Sequence, residues 1–530
     1  MRGYNKKFHP FYVLTAIFFV TVYYKLLLST FVPFPVFSPD SLRYALQARD
    51  FFQFHELISE NLKYHYPPLY PVILSISYLP QNTETIMNFI NILFSSSIIY
   101  PSYLLARYVL RKEDALVVSC ISLFGTTSFF YSFTTMAENL FYPLFTLSVY
   151  LIIKSINEKE SKLCQVLCGV VISLTILTKI LGIILLLSLS IFILGKIISS
   201  KKITPLKENF YTFIPFCTLL IPWFLYYGAK FSDGRGITSY FILRHIINAF
   251  NGFESIFLVV KLSIIHFNII TLSSGVIFSL YALAALLRCV RAKVEEKTKN
   301  FTYFLWIGIV LTSVVCGVYL LEEQYIGQRY TDVWIPSILV LGTKYLKVLN
   351  KNRLDELLIS GTLLLTSVLG SGILLLIEKS LLYGCKWCKY RYFGFDDLTV
   401  RAYEFFSYHR LFSLLHIYVF LIMFFIILIV LLLQKWSPNT KKWRSNIKKI
   451  VVIFIVLLFI ISNHLMLQDY TAFMNSNKER IIGIKEIING DNNCCSSIYH
   501  SILDEIDYTP QEKTQVDSTE IILEKIANRK

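Results

Sequence analysis

The chain has 530 residues, 55% hydrophobic and only 16% charged, whereas an ordinary soluble domain carries about a quarter charged residues. Apolar runs of about 18 residues or more recur along most of its length, which excludes a disordered chain, a secreted disulfide scaffold and a soluble enzyme together. Lys+Arg 51 against Asp+Glu 35 gives a net charge of +16, and only its position along the chain separates nucleic acid, anionic lipid and membrane topology as its cause.

Residues 1–10 are short and basic, and the apolar stretch 11–31 is too long for a signal sequence and lacks a small-residue cleavage site, so it is read as the first membrane helix. Further spans are predicted at 84–106, 114–131, 138–153, 163–178, 180–198, 209–228, 270–287, 301–321, 332–346, 356–377, 411–433 and 450–467. Each is near the ~20 residues that cross a hydrocarbon core. The fold class is therefore all-α, a polytopic membrane protein of about thirteen helices. The pair meeting near Lys179 has the least clear boundary, and 253–269 reads as a segment lying flat on the interface.

Short cytoplasmic loops are enriched in Lys and Arg. With the N-terminus inside, the alternate segments from Arg2 through Arg107, Lys154, Lys201, Arg288 and Lys347 to Lys449 hold 28 of the 51 basic residues. The longer outer segments hold fewer. Positive charge is thus mainly a topology signal, and nucleic acid is not an expected partner. An odd number of spans puts the tail outside, so the chain divides into a membrane domain, 1–467, and a small extracytoplasmic tail, 468–530.

Four outer segments are long enough to carry function: 32–83, 229–255, 378–410 and 468–530. In the first, residues 39–58 place Leu42, Leu46, Phe51, Phe54 and Leu57 near helical spacing, which predicts an amphipathic helix on the outer interface with Pro39 at its start. Asp40 beside that N-terminus either caps the helix or serves a site. After it come His65, Tyr66, Pro67 and Pro68, an extended turn before the chain returns to the membrane. Glu138 sits at the lip of a span, where an unpaired carboxylate is costly, and Lys179 and Arg329 pose the same choice between a snorkelling charge and a site. The parity of the spans puts Asp40, Glu138, Lys179 and Arg329 on one outer face. Two acids and two bases around one mouth suit a reaction with an anionic phosphate-lipid donor, held by Arg and Lys, and an acceptor whose proton a carboxylate takes.

These residues also carry a family resemblance. Pro39-Asp40, His65-Tyr66-Pro67-Pro68-Leu69-Tyr70-Pro71, Glu138-Asn139-Leu140-Phe141-Tyr142-Pro143-Leu144, Thr178-Lys179 and Gln328-Arg329-Tyr330 followed by Pro336 resemble, in order and spacing, the GT-C superfamily of membrane glycosyltransferases. The likeness is to its branch of protein mannosyltransferases and lipid A aminoarabinose transferases. It implies a polyprenyl-phosphate sugar donor, a lipid, glycan or protein acceptor, an active site on the outer side of the cell membrane, and Asp40 as catalytic base. Glu138 joins Asp40 as the second catalytic acid, and Lys179, Arg329, Tyr330, His65 and Tyr66 form the substrate-binding set. Many relatives carry two acids in a row in the first loop. Here the second position is Ser41, which leaves dependence on a divalent metal open.

Six of the ten cysteines, Cys120, Cys164, Cys168, Cys217, Cys289 and Cys316, fall in or at the ends of apolar spans and read as small hydrophobes. Cys385, Cys388, Cys494 and Cys495 all lie outside, where disulfides between the tail and the 378–410 loop are favoured over a four-thiolate zinc site. No Walker loop or dinucleotide fingerprint appears, which makes a lipid-linked donor more natural than a nucleotide sugar. The rival from another class is a non-catalytic flippase or transporter of lipid-linked glycans, which would line its path with charges deep in several helices. Here only Lys25 and Lys261 are of that kind.

Overall fold

In hydrocarbon a backbone can satisfy its polar groups only within a helix or a closed barrel, and the described residues take the helical solution. The structure, a computed structural model, describes residues 10–30, 39–55, 57, 66–79, 82–123, 126–158, 162–230, 247, 249–274, 276–291, 294–319, 328–348 and 360–362. His65, all but 360–362 of the span expected at 356–377, the spans expected at 411–433 and 450–467, the tail, and Cys385, Cys388, Cys494 and Cys495 lie outside the described residues. Among the described residues there is no strand, and six helical stretches are long and apolar enough to cross a membrane. The chain is an integral membrane protein.

The helices are α1 (Pro10–Ser29), α2 (Pro39–Phe54), α3 (Leu69–Leu74), α4 (Thr83–Ser96), α5 (Ile99–Val109), α6 (Lys112–Leu123), α7 (Thr126–Tyr131), α8 (Glu138–Asn157), α9 (Lys162–Thr178), α10 (Ile183–Ser200) and α11 (Thr204–Lys230). They continue as α12 (Phe253–Ser273), α13 (Val276–Arg291), α14 (Glu296–Tyr319), α15 (Gln328–Thr331) and α16 (Ile335–Val348). Helices α8 and α14 lie at the centre of the bundle. Around α8 pack α4, α5 and α9, with α14 and α10 beyond, and Phe141, Phe145, Val149 and Ile152 on it are fully enclosed.

Three details differ from the sequence reading. Helix α2 does not lie on a surface, because every residue from Ser41 to Ala48 is buried. Its polar residues Asp40, Arg43, Gln47 and Asp50 repeat at three- and four-residue intervals and so share one stripe, which faces protein partners. The proline pair does not lead straight into a span: Pro68 already has helical dihedrals and caps α3, and a short 3-10 turn, Ser75–Tyr78, follows before α4 begins. The segment predicted to lie flat at 253–269 is α12, which runs along α14 with Phe267 against Trp306 at 6.0 Å between ring centroids.

One close approach sets the height of the residues after α15. A Cβ built on Gly308 would lie 2.2 Å from the Trp334 ring. Trp334 is fully buried, donates from Nε1 to Thr312 Oγ1 at 2.7 Å and stands edge-on to Phe145 at 5.0 Å. It locks the turn after α15 against both α8 and α14. Gly308→Ala should therefore displace the indole and lower stability in detergent by about 1–3 kcal/mol, the usual range for overpacking. A wild-type melting temperature in this variant would mean that Trp334 moves freely.

Lys25, the deep basic residue of α1, is wholly buried, donates to Ser95 Oγ at 3.0 Å and lies 5.4 Å from the centroid of the Phe129 ring. It joins α1 to α4 and α7.

Candidate active site

Four separate parts of the chain converge at the N-terminal end of α8. Asp40 is the second residue of α2, where the exposed N–H groups and dipole of the helix favour a carboxylate. Its Oδ1 accepts a hydrogen bond from the Tyr66 hydroxyl at 2.7 Å, and its Oδ2 accepts one from Arg329 Nη1 at 2.8 Å. Arg43, one turn along α2, lies 3.7 Å from Oδ1 and donates to the Tyr66 hydroxyl at 3.4 Å.

Tyr66 is held by its backbone. Gln47 Nε2 donates to its carbonyl at 3.0 Å, and Gln47 Oε1 accepts from its N–H at 3.2 Å. The Tyr44 ring stacks on it at 4.2 Å. Burial, with Asp40 adding to it, pushes the Tyr66 phenol well above its ordinary value, so the hydroxyl stays a donor to the carboxylate.

Glu138 opens α8 and is almost wholly buried. Its Oε1 is shared by the Lys179 ammonium and by Arg329 Nε, the latter at 3.7 Å. Its Oε2 has no hydrogen-bond partner among the described residues, so it is a buried acceptor able to receive a donor from a ligand or water. Lys179 stands at the one extended residue between α9 and a 3-10 turn that leads into α10, and that break swings its side chain toward Glu138. Its ammonium also lies 4.5 Å from the centroid of the Tyr330 ring. Burial pulls Lys179 below the usual lysine range, opposed by the nearby Glu138.

Arg329 lies at the centre of the cluster. From α15 it reaches Asp40 with Nη1, the Tyr330 hydroxyl with Nη2 at 2.9 Å and Glu138 with Nε. The cluster is only partly enclosed: the side chains of Asp40 and Arg329 keep 19% and 16% of their surface exposed, against 1% for Glu138. A ligand therefore meets Asp40, Arg329 and Lys179, whose side chain is 12% exposed, with Glu138 enclosed behind them. Among the described residues no three His, Cys, Asp or Glu side chains converge as a metal site would require.

Of the residues singled out in the sequence, Asp40, Tyr66, Glu138, Lys179, Arg329 and Tyr330 come together here. Sequence reasoning missed Gln47 and Tyr44, and named Arg43 and Tyr142 without giving either a role of its own. Gln47 and Arg43 were reachable through their place on the Asp40 stripe of α2, and Tyr142 through its four-residue spacing from Glu138 on α8.

Residues 65–226 match the family model described as dolichyl-phosphate-mannose-protein mannosyltransferase. That stretch takes in Tyr66, Glu138 and Lys179. The whole arrangement is similar to ArnT from Cupriavidus metallidurans bound to undecaprenyl phosphate, with a TM-score of 0.52 at 13% identity over 89% of this chain and 79% of that one. The chain shares the overall fold of that ArnT structure. Two further solved structures are similar at lower scores. The apo state of the same ArnT gives a TM-score of 0.49 at 13% identity, over 89% of this chain and 78% of that one. The Archaeoglobus fulgidus oligosaccharyltransferase AglB, in complex with an inhibitory peptide and a dolichol-phosphate, gives 0.39 at 13% identity, over 73% of this chain and 58% of that one. No curated protein matches the chain in sequence.

Proposed function

We propose that this protein is a membrane glycosyltransferase that moves a sugar from a polyprenyl-phosphate donor to an acceptor on the outer side of the cell membrane, with inversion at the anomeric carbon. The observation that carries the reading is the chain of contacts Asp40, Arg329, Glu138 and Lys179, in which one open carboxylate stands beside two cations backed by a buried acid. A GT-C structure bound to undecaprenyl phosphate supports a lipid phosphate as the carrier. The basic bias of alternate loops supports an N-terminus inside and the site outside. In this reading the membrane domain has about thirteen spans and runs to residue 467, with 468–530 as an outer tail.

Arg329 and Lys179 bind the donor phosphate. The acceptor hydroxyl or amine attacks the anomeric carbon and gives its proton to Asp40, while the bond from that carbon to the phosphate oxygen breaks and the polyprenyl phosphate leaves with the electron pair. Both oxygens of Asp40 are engaged before substrate arrives, by Tyr66 and by Arg329. The incoming phosphate draws the guanidinium to itself, which releases Oδ2 to act as the base. General-base assistance of this type contributes about 10²–10⁴ in rate. Phosphate stabilisation and positioning supply the rest.

The test is mass spectrometry of envelope lipids, glycans and glycoproteins from cells with and without the chain, with the Asp40→Asn form restored to the null cells as a third arm. A sugar that disappears with the chain, and stays absent with Asp40→Asn, identifies donor and acceptor together. Unchanged lipids, glycans and proteins in the null cells would overturn the reading. Intact sugar-lipid stranded on the inner side would instead point to a flippase.

A further inference from the structure

The exchange of partners at Arg329 requires the guanidinium to move while its point of attachment stays still. Helix α15, which carries it, is only four residues long, too short to hold its own position. What fixes it on the α8 side is a hydrogen bond between residues 187 apart: the Tyr142 hydroxyl donates to the Arg329 main-chain carbonyl at 2.9 Å. Tyr142 is 3% exposed and lies one turn beyond Glu138 on the same face of α8. One helix face thus grips Arg329 twice, by its side chain through Glu138 and by its main chain through Tyr142. The two grips differ in kind. The Glu138 contact, at 3.7 Å from Nε, leaves the two terminal nitrogens to Asp40 and the Tyr330 hydroxyl, and the Tyr142 contact does not involve the guanidinium at all.

We propose that Tyr142 is a positioning residue whose hydroxyl pins the Arg329 main chain, so that the guanidinium passes from Asp40 to the donor phosphate about a fixed pivot. This rests on the reading in which Arg329 binds that phosphate. Tyr142 touches no reacting atom in it. Removing the hydroxyl leaves the ring to pack as before, but leaves the carbonyl of Arg329 without this donor and loosens α15.

The experiment is a two-by-two series in detergent on the full chain: wild type, Tyr142→Phe, Arg329→Ala and the double variant. Undecaprenyl phosphate is the titrated probe, the phosphorus NMR resonance of the bound phosphate is read at saturation, and melting temperatures are taken alongside. Tyr142→Phe should weaken binding about fivefold, the scale of one lost hydrogen bond, and shift the bound-phosphate resonance toward that of Arg329→Ala. In the Arg329→Ala background the same substitution should change neither. Wild-type affinity and resonance in Tyr142→Phe, with Arg329→Ala weakened, would overturn the proposal and leave the donor reading standing. An equal loss in both backgrounds would overturn it in favour of a general packing role. Wild-type affinity in Arg329→Ala would bring down the donor reading and the proposal with it.

Discussion

Asp40→Asn should lower turnover by at least about a hundredfold while abundance and melting temperature stay near those of the wild type. Asparagine keeps the size of the side chain and is as good at a helix N-terminus as aspartate. Its amide oxygen can still accept from Tyr66 or from Arg329, but not through two equivalent oxygens, and it cannot take a proton from the acceptor. The substitution also separates two roles that the geometry gives to Asp40. Because Arg329 Nη1 is bonded to Oδ2 at 2.8 Å, the carboxylate competes with the donor phosphate for that guanidinium. Asp40→Asn should therefore bind a polyprenyl phosphate at least as tightly as the wild type while losing turnover. If Asp40 served only to hold Arg329 in place, both quantities would fall together. Full turnover in the variant would remove Asp40 from the chemistry.

Much of the helical frame was legible from one property, the length of apolar runs. The spans read at 138–153 and 163–178 correspond to α8 and α9 within a few residues, because in each the polar residues that stop the run also stop the helix. Counting spans gave an expected side of the membrane for each charge. What that count does not contain is which charge touches which. The pair Arg329 and Asp40 is separated by 289 residues, and α15 is placed for it by contacts equally remote in sequence, Trp334 on Gly308 and Phe145 and the Tyr142 hydroxyl on the Arg329 carbonyl.

Helix α2 misled for a different reason. Polar residues on one stripe of a helix normally face water, and here Asp40, Arg43 and Gln47 face the site instead, so the pattern was legible and its direction was not. Lys179 was ambiguous because a single extended residue between two apolar helices leaves no mark in composition. Tyr142 carried the right spacing, but a tyrosine in an apolar helix reads first as core. Helix α12 carries Lys261 and His266 among its apolar residues, a pattern that suits an interfacial helix and a bundled one equally. His266 is fully buried, its Nδ1 2.7 Å from the Leu262 carbonyl of its own helix, and it is this burial that places it inside the bundle.

Arg329→Lys should weaken binding of undecaprenyl phosphate by about tenfold, and Arg329→Ala by about a hundredfold, the range expected for losing charge-assisted hydrogen bonds to an anion. Arg329 uses three different nitrogens on three partners: Nη1 on Asp40, Nη2 on the Tyr330 hydroxyl and Nε toward Glu138. A guanidinium can release one of these and still be aimed by the others, so it can offer a fork to the phosphate. Lysine has one nitrogen on a flexible stem and must give up its protein contacts to reach the ligand. The competing account is an arginine that snorkels to lipid headgroups, for which lysine would serve equally well. Two observations oppose it: the side chain keeps only 16% of its surface exposed, and its donors point at protein acceptors. The measurement is titration of purified protein in detergent, where bulk headgroups are diluted away, with melting temperatures to confirm that the Lys variant keeps its fold. Arg329→Ala leaves Asp40 and Glu138 without their shared cation, so a lower melting temperature is expected there and Arg329→Lys is the decisive variant. Unchanged affinity in both would mean that Arg329 does not hold the phosphate, and Lys179, paired with Glu138, would be left as the only cation of the proposed pair able to do so.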